Sequence, residues 1–220
     1  EKRQMAGNTE ITSRRFAPKE VRKQQLIDAT LVAIAKHGVS GTTTTLVTQK
    51  AGLSAGIVNL HFENKDNLLK ATLEHLATEL RDHWQAVYVD EALQPADKLW
   101  GIIEACFHPE VCTLDKVRVW FAFFGEAPYR AFYREMVSRF DDERGDAITS
   151  LLVQLGQSQD AAAHTSEAIE CLADGLWLNM MLYPEWLDLD SSRAQMWNLL
   201  CLHFPEEFGG PVPQLRIRAA

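Results

Sequence analysis

Apolar residues recur along the chain at intervals of three and four, the spacing that gives a helix one buried face. The first such run extends from Pro18 to His37, and Gly38 follows it where a helix commonly ends. Two shorter runs come next, one after the threonines at 42–45 and one from Ala55 to Phe62. The pattern predicts three helices, of which the second and third have about two turns each.

Longer apolar runs fill the rest of the chain. A connecting helix is predicted at 65–90, and five further helices at 96–107, 114–126, 128–156, 161–183 and 190–204. Proline and glycine stand at the breaks between these runs. No segment alternates with the period of a strand, so the sequence predicts an all-α fold.

Charge is divided unevenly along the chain. The net charge is -8 for the whole sequence, but residues 1–65 hold 10 Lys/Arg against 5 Asp/Glu, a net charge of +5. Residues 66–220 hold 12 against 25, a net charge of -13. The N-terminal part alone therefore suits a polyanionic partner.

Two short helices joined by a glycine-containing turn, within the basic part of the chain, are typical of a helix-turn-helix. Residues 24–76 strengthen this interpretation, because they resemble the N-terminal domain of TetR-type regulators: QQLIDATLVAIAKHGVSGTTTTLVTQKAGLSAGIVNLHFENKDNLLKATLEHL. The resemblance implies a regulator that binds double-stranded operator DNA through the second short helix. Many relatives carry tyrosine where Asn59 and Leu60 stand, so a base preference does not carry over.

The predicted DNA contacts are of two kinds. Hydroxyls, unpaired helix N–H groups and one lysine would bind phosphates, and polar side chains would contact base edges. They are Thr43, Thr44, Ser54, Ala55, Gly56, Asn59, His61 and Lys65. A set of solvated polar residues on a surface helix is the alternative.

The C-terminal part resembles the corresponding domain of the choline-responsive repressor of betaine synthesis and its relatives. The resemblance rests on AIECLADGLWLNMML at 168–182 and VWFAFFGEAPYRAFYREMVSRF at 119–140. It implies a helical domain that binds a small effector and forms a homodimer.

Aromatic side chains and one carboxylate share helical faces in these segments, which is what a quaternary ammonium ligand requires. The predicted effector residues are Trp120, Phe124, Asp174 and Trp177. Ordinary core packing is the alternative for the aromatic residues, and a buried hydrogen bond for Asp174. An apolar drug, an acyl compound or another metabolite remains the alternative effector.

The last two long segments are apolar on more than one face, which predicts a partner helix pair. The predicted dimer interface consists of Leu172, Leu176, Met180, Met196 and Leu199.

Other functions find little support in the residues. Sets of Ser/His/Asp or Cys/His are absent from the sequence, so no catalytic residue, cofactor or metal site is predicted, and a helical enzyme or scaffold is a remote alternative. His75, Glu79 and His83 have a spacing that metal sites use, but a solvated polar face explains them. The four cysteines are predicted to be reduced core residues. Without a membrane segment, the expected location is the cytoplasm.

The breaks divide the predicted protein into a flexible arm and two domains followed by a loose tail. The arm is 1–17, the helix-turn-helix domain 18–64, the effector-binding and dimerisation domain 65–205, and the tail 206–220.

Overall fold

The computed structural model describes residues 18–214, and every regular element within that range is a helix. This confirms the predicted all-α fold. The predicted arm at 1–17 and residues 215–220 of the predicted tail lie outside the described residues. No helix in this part of the chain combines the length and hydrophobicity that crossing a bilayer requires.

Ten helices follow one another along the described chain. They are α1 (Lys19–Gly41), α2 (Thr44–Ala51), α3 (Ile57–Phe62), α4 (Lys65–Tyr88), α5 (Pro95–Ala105), α6 (Leu114–Glu126), α7 (Ala131–Gln154), α8 (Gln159–Leu182), α9 (Leu189–His203) and α10 (Pro205–Phe208). The chain divides into two compact units, the first ending at Thr72 and the second beginning at Leu73. The division falls within α4.

The first unit is a small three-helix domain completed by the start of α4. Its core is formed by Leu26, Ile27, Ala29, Ala33, Val47, Val58, Phe62 and Leu68. Because α2 and α3 are too short to be stable alone, they depend on packing against α1. Each buries one side, Val47 and Thr48 in α2 and Val58 and Phe62 in α3.

Gly38 turns the chain out of α1. Its φ is 67° and its ψ is 176°, a combination that residues other than glycine rarely adopt. Thr42 then donates its hydroxyl to the carbonyl of Gly38 at 2.7 Å and is itself buried. Gly38 therefore ends the regular helix where the sequence predicts.

The second unit is a helical bundle in which α7 packs against α5 and α8, and α6 packs against α8. Two buried arginines link helices that are distant in sequence. Arg144 of α7 donates to Glu170 of α8 at 3.2 Å, and Arg193 of α9 donates to Glu104 of α5. Such pairs fix the relative positions of helices because a buried charge left unpaired is costly.

The chain after α9 differs from the predicted loose tail. Phe208 of α10 is buried against Trp197, with ring centroids 5.1 Å apart. Trp197 donates its indole N–H to the carbonyl of Gly210, and Arg193 donates to that of Pro213. These contacts hold residues 205–213 on α9, although glycine and proline suggest an irregular end.

We predict that Gly38→Ala lowers the free energy of unfolding by about 1–3 kcal/mol, because alanine is strained at this φ and ψ. Urea denaturation of the full chain measures the change. Gly56→Ala is the matched control, since Gly56 has a φ of -77° and an added Cβ would meet nothing within 4 Å. Equal unfolding midpoints for the two variants would contradict the constraint at Gly38.

Candidate functional site

Both ends of α2 are fixed by the residues that flank this helix. Thr43 accepts from the N–H of Leu46 at 3.1 Å and so caps α2. Gly52 ends that helix in the left-handed conformation at a φ of 65°. The apolar sides of both helices lie in the core, so their polar sides are left for solvent or a ligand.

The predicted DNA contacts lie on α2, on α3, in the turn between them and at the first residue of α4. Five are exposed: Thr43, Ser54, Ala55, Gly56 and Asn59. Thr44, His61 and Lys65 are half-buried. The side-chain amide of Asn59 is free to meet base edges, whereas the Nδ1 atom of His61 is buried without a hydrogen-bond partner.

Lys65 has a contact that the sequence does not reveal. Its ammonium donates to the carbonyl of Val39 at 3.3 Å and so holds the end of α1 to the start of α4. An ammonium has three N–H groups, which leaves two for other acceptors. The residue is therefore both a structural link in the first unit and a cation beside α3.

Leu60 is an exposed side chain that the sequence analysis did not select. It is 73% exposed on α3, on the side away from Val58 and Phe62. Its position midway between two core residues was a usable signal, because residues two apart on a helix face in nearly opposite directions. The outer side of α3 thus offers an aliphatic group next to the amide of Asn59.

In the second unit, three of the four predicted effector residues come together. The rings of Trp120 and Trp177 are 6.3 Å apart, and those of Trp120 and Phe124 are 5.8 Å apart. Trp177 is oriented by its indole N–H, which donates to the carbonyl of Cys106 at 2.9 Å. The two tryptophans are buried and Phe124 is half-buried, so the group forms part of the core.

Carboxylates surround the guanidinium of Arg144 near this aromatic group. Arg144 lies 3.5 Å from Asp141 and 3.2 Å from Glu170, and it also interacts electrostatically with Asp174, which is exposed. Burial raises the pKa of Asp141 to about 6, although Arg144 opposes this rise. Burial also raises the pKa of Glu170. One positive charge thus faces three acidic groups, which leaves a surplus of negative charge when they are ionised.

A cavity beside Trp120 is much smaller than a ligand pocket. Its volume is about 20 Å³. It is lined by Ala77, Leu80, Arg81, Trp84, Trp120, Val137, Phe140, Asp141 and Arg144. Trp120 is the one predicted effector residue among them. A single water molecule needs about 10–15 Å³, so this cavity has room for little more than one water.

A larger cavity lies elsewhere in the second unit, where the sequence analysis placed no site. Its volume is about 410 Å³. Acidic and aromatic residues in its wall include Asp82, Asp90, Asp97, Trp100, Glu104 and Glu110. This surface favours cations over anions.

The predicted dimer residues are distributed between core and surface. Leu176 and Met196 are buried in their own protomer, while Leu172, Met180 and Leu199 are half-buried. Other apolar side chains of α8 and α9 are exposed: Leu178 by 37%, Leu182 by 53% and Leu202 by 83%. The two helices predicted for the interface, α8 and α9, therefore do expose apolar surface. Most of that surface comes from residues other than the five that were predicted.

Comparison with protein-family models gives two matches. Residues 26–72 match the family of bacterial regulatory proteins named for TetR. Residues 95–201 match the C-terminal domain of BetI-type transcriptional repressors. The two matches cover most of the first unit and most of the second.

Individual proteins support the same assignment. The chain is 34% identical over 175 residues to the HTH-type transcriptional regulator BetI of Paraburkholderia xenovorans, an alignment that covers 77% of this chain and 87% of that protein. Among solved structures, a transcriptional regulator of Pseudomonas aeruginosa has a TM-score of 0.76 and 22% identity, with 88% and 95% of the chains covered. A regulator of Saccharomonospora viridis, solved in complex with choline, has a TM-score of 0.73 and 18% identity, with 85% and 98% covered. These two structures share the fold.

Proposed function

Because the chain belongs to the TetR family of transcriptional regulators and is a BetI-like repressor, we propose that a small organic cation of the choline class releases it from operator DNA. The observation that carries this proposal is the surplus of carboxylates around Arg144, beside Trp120 and Trp177. Ring faces and negative charge attract a quaternary ammonium, which cannot donate a hydrogen bond. The choline bound to the Saccharomonospora viridis regulator supports the same chemistry.

TetR regulators bind operator DNA, and we assign the reading surface to the outer side of α3. In this docking α3 enters the major groove, Asn59 contacts a base edge and Leu60 packs against a thymine methyl group. The hydroxyls of Thr43, Thr44 and Ser54 would bind phosphates and so position the protein on the DNA backbone. Lys65 would add one charge while it holds Val39.

Dimerisation in TetR regulators gives the operator its symmetry. We propose that α8 and α9 form the interface, because their outer sides carry the exposed Leu178, Leu182 and Leu202. Two reading helices related by a two-fold axis would then meet successive major grooves of a palindromic site, about 34–36 Å apart.

Effector binding must enlarge the cavity beside Trp120. A quaternary ammonium ligand does not fit in about 20 Å³, so we expect aromatic side chains there to move apart when it binds. Leu80 and Trp84 of α4 line the same cavity, and α4 begins at Lys65. A shift of α4 is therefore the proposed link between effector and DNA.

We predict that Lys65→Ala weakens binding to operator and to random DNA alike and lowers the slope of log affinity against log salt by about 1, as expected for one lost phosphate contact. Asn59→Ala should change base preference more than overall affinity. Fluorescence anisotropy over a salt series measures both.

Lys98→Ala, in the second unit, is the control and should bind DNA like the parent. Thermal unfolding of the Lys65 variant checks that the first unit stays folded without the hydrogen bond from Lys65 to the Val39 carbonyl. If neither the Lys65 nor the Asn59 variant differed from the parent, α3 would not be the reading helix.

We predict that Leu202→Glu converts the dimer to a monomer, because it places an unpaired charge in the proposed apolar interface. The side chain is 83% exposed in the protomer, so the substitution should not disturb folding. Sedimentation at micromolar concentration measures the change, and Leu60→Glu is a matched control that should stay dimeric. A monomeric parent protein would contradict the interface.

We predict that Asp174→Asn lowers the affinity for choline roughly tenfold, because it removes one of the three acidic groups that interact with Arg144 in the wall of the cavity, while the neutral carbon isostere of choline is hardly affected. Titration calorimetry with both compounds measures this. Glu167→Gln, which neutralises another exposed carboxylate of α8, is the matched control.

The pH dependence of choline binding provides a further check. A bound cation favours ionised Asp141, whose pKa in the free protein is about 6. Affinity should therefore rise between about pH 5 and pH 7 and then level off, and Asp141→Asn should weaken this rise. Equal affinity for the neutral isostere at every pH would assign the effector to an apolar class instead.

A further inference from the structure

Two histidines and a glutamate meet at one wall of the 410 Å³ cavity. His83 belongs to α4, and His108 and Glu110 to the loop between α5 and α6. His83 Nε2 lies 3.6 Å from the Glu110 carboxylate, and His108 Nδ1 lies 4.0 Å from it. The three atoms that could bind a metal all lie within 4.8 Å of one another.

The two imidazole rings lie close together, and one of them already contacts Glu110. His108 Nδ1 accepts from the backbone N–H of Glu110 at 3.3 Å, so a metal bound at this nitrogen would replace that hydrogen bond. The two imidazole centroids are 4.5 Å apart.

A neighbouring lysine leaves the Glu110 carboxylate available. Lys116 is bound to both carboxylate oxygens of Glu79, at 2.7 and 2.6 Å. Its ammonium also donates to the backbone carbonyl of Glu110. The ammonium charge is thus balanced by Glu79, while the 71% exposed side chain of Glu110 is free to move toward the histidines.

We propose that His83, His108 and Glu110 bind one Zn²⁺ ion per protomer. Imidazole and carboxylate are ligands that zinc accepts, and three protein ligands commonly leave a fourth position for water. In such a site, with bonds of about 2.0–2.2 Å, the ligand atoms would lie about 3.4 Å apart. The two distances to the Glu110 carboxylate are already close to this value, whereas the two imidazole nitrogens, which lie within 4.8 Å of each other, approach only if a histidine side chain moves.

The cavity beside these ligands favours the ion as well. Asp82, Asp90, Asp97 and Glu104 line the same cavity, and Glu104 is paired with Arg193. The fourth position of the zinc ion would face this acidic space. A bound ion would also tie the C-terminal part of α4 to the loop between α5 and α6.

The test is titration calorimetry of the metal-free full chain with zinc chloride under reducing conditions. We expect one ion per protomer, and more than about a 100-fold loss of affinity in His83→Ala and His108→Ala, because loss of an outer-shell partner alone costs about 10- to 100-fold. Glu110→Ala should also weaken zinc binding. Because the Glu110 side chain is exposed, this variant should keep the fold of the parent.

Two control variants distinguish this site from other zinc-binding groups. His37→Ala removes an exposed histidine of the first unit, and Cys171→Ser removes the exposed thiol; both should bind zinc like the parent. Zinc should raise the melting temperature of the parent and controls but not of His83→Ala.

An ordinary ion pair between His83 and Glu110 is the competing explanation. It would leave the parent without stoichiometric zinc binding, and that result would overturn the proposal. Equal zinc affinity in the parent, His83→Ala and His108→Ala would overturn it too.

Discussion

The buried charge of Arg144 is the constraint on which the second unit depends. A guanidinium among apolar helices is tolerated when carboxylates and polar atoms surround it. Asp141 lies one turn away on α7, Glu170 comes from α8, and the sulfur of Cys106, at the end of α5, accepts from Nη1 at 3.5 Å. The carbonyl of Cys106 also accepts from Trp177. Three helices are thus joined around the guanidinium of Arg144. Cys106, which contacts this guanidinium, also orients Trp177.

The surplus of acid around Arg144 connects this structural role with ligand chemistry. Each carboxylate beyond the first adds charge that the single guanidinium does not balance, and the buried part of that charge costs free energy. Here the cost is partly avoided by protonation, since burial raises the pKa of Asp141 to about 6. Above that pH the carboxylates are left with unbalanced charge. An added cation restores the balance, whereas an anion would increase the repulsion.

Periodicity and helix-ending residues were sufficient to predict most helices, and α6 has the predicted bounds because Thr113 caps it and Pro128 follows its end. Contacts between residues distant in sequence were not predictable. Neither the bond from Lys65 to Val39 nor the burial of Arg144 leaves a periodic signal. α10 was missed because Pro205 was interpreted as a stop, although Phe208 continues the core. For α8 and α9 the excess of apolar residues was evident, but assigning each residue to core or surface requires knowing which neighbours cover it.

The small volume beside Trp120 places a condition on any effector that binds there. Pockets for small ligands usually measure about 300–1,000 Å³, so in our proposal the cavity of about 20 Å³ corresponds to the closed state of the effector site. Opening it consumes part of the binding free energy, and the measured affinity is lower than the affinity for the open state. Since Leu80 and Trp84 form part of the wall, the open and closed states would differ at α4 in this proposal. An effector that prefers the open state by about 1.4 kcal/mol changes the affinity for DNA tenfold when DNA prefers the closed one. A ligand with a few aromatic contacts and one charge interaction can supply that preference, so weak overall binding is compatible with effective regulation.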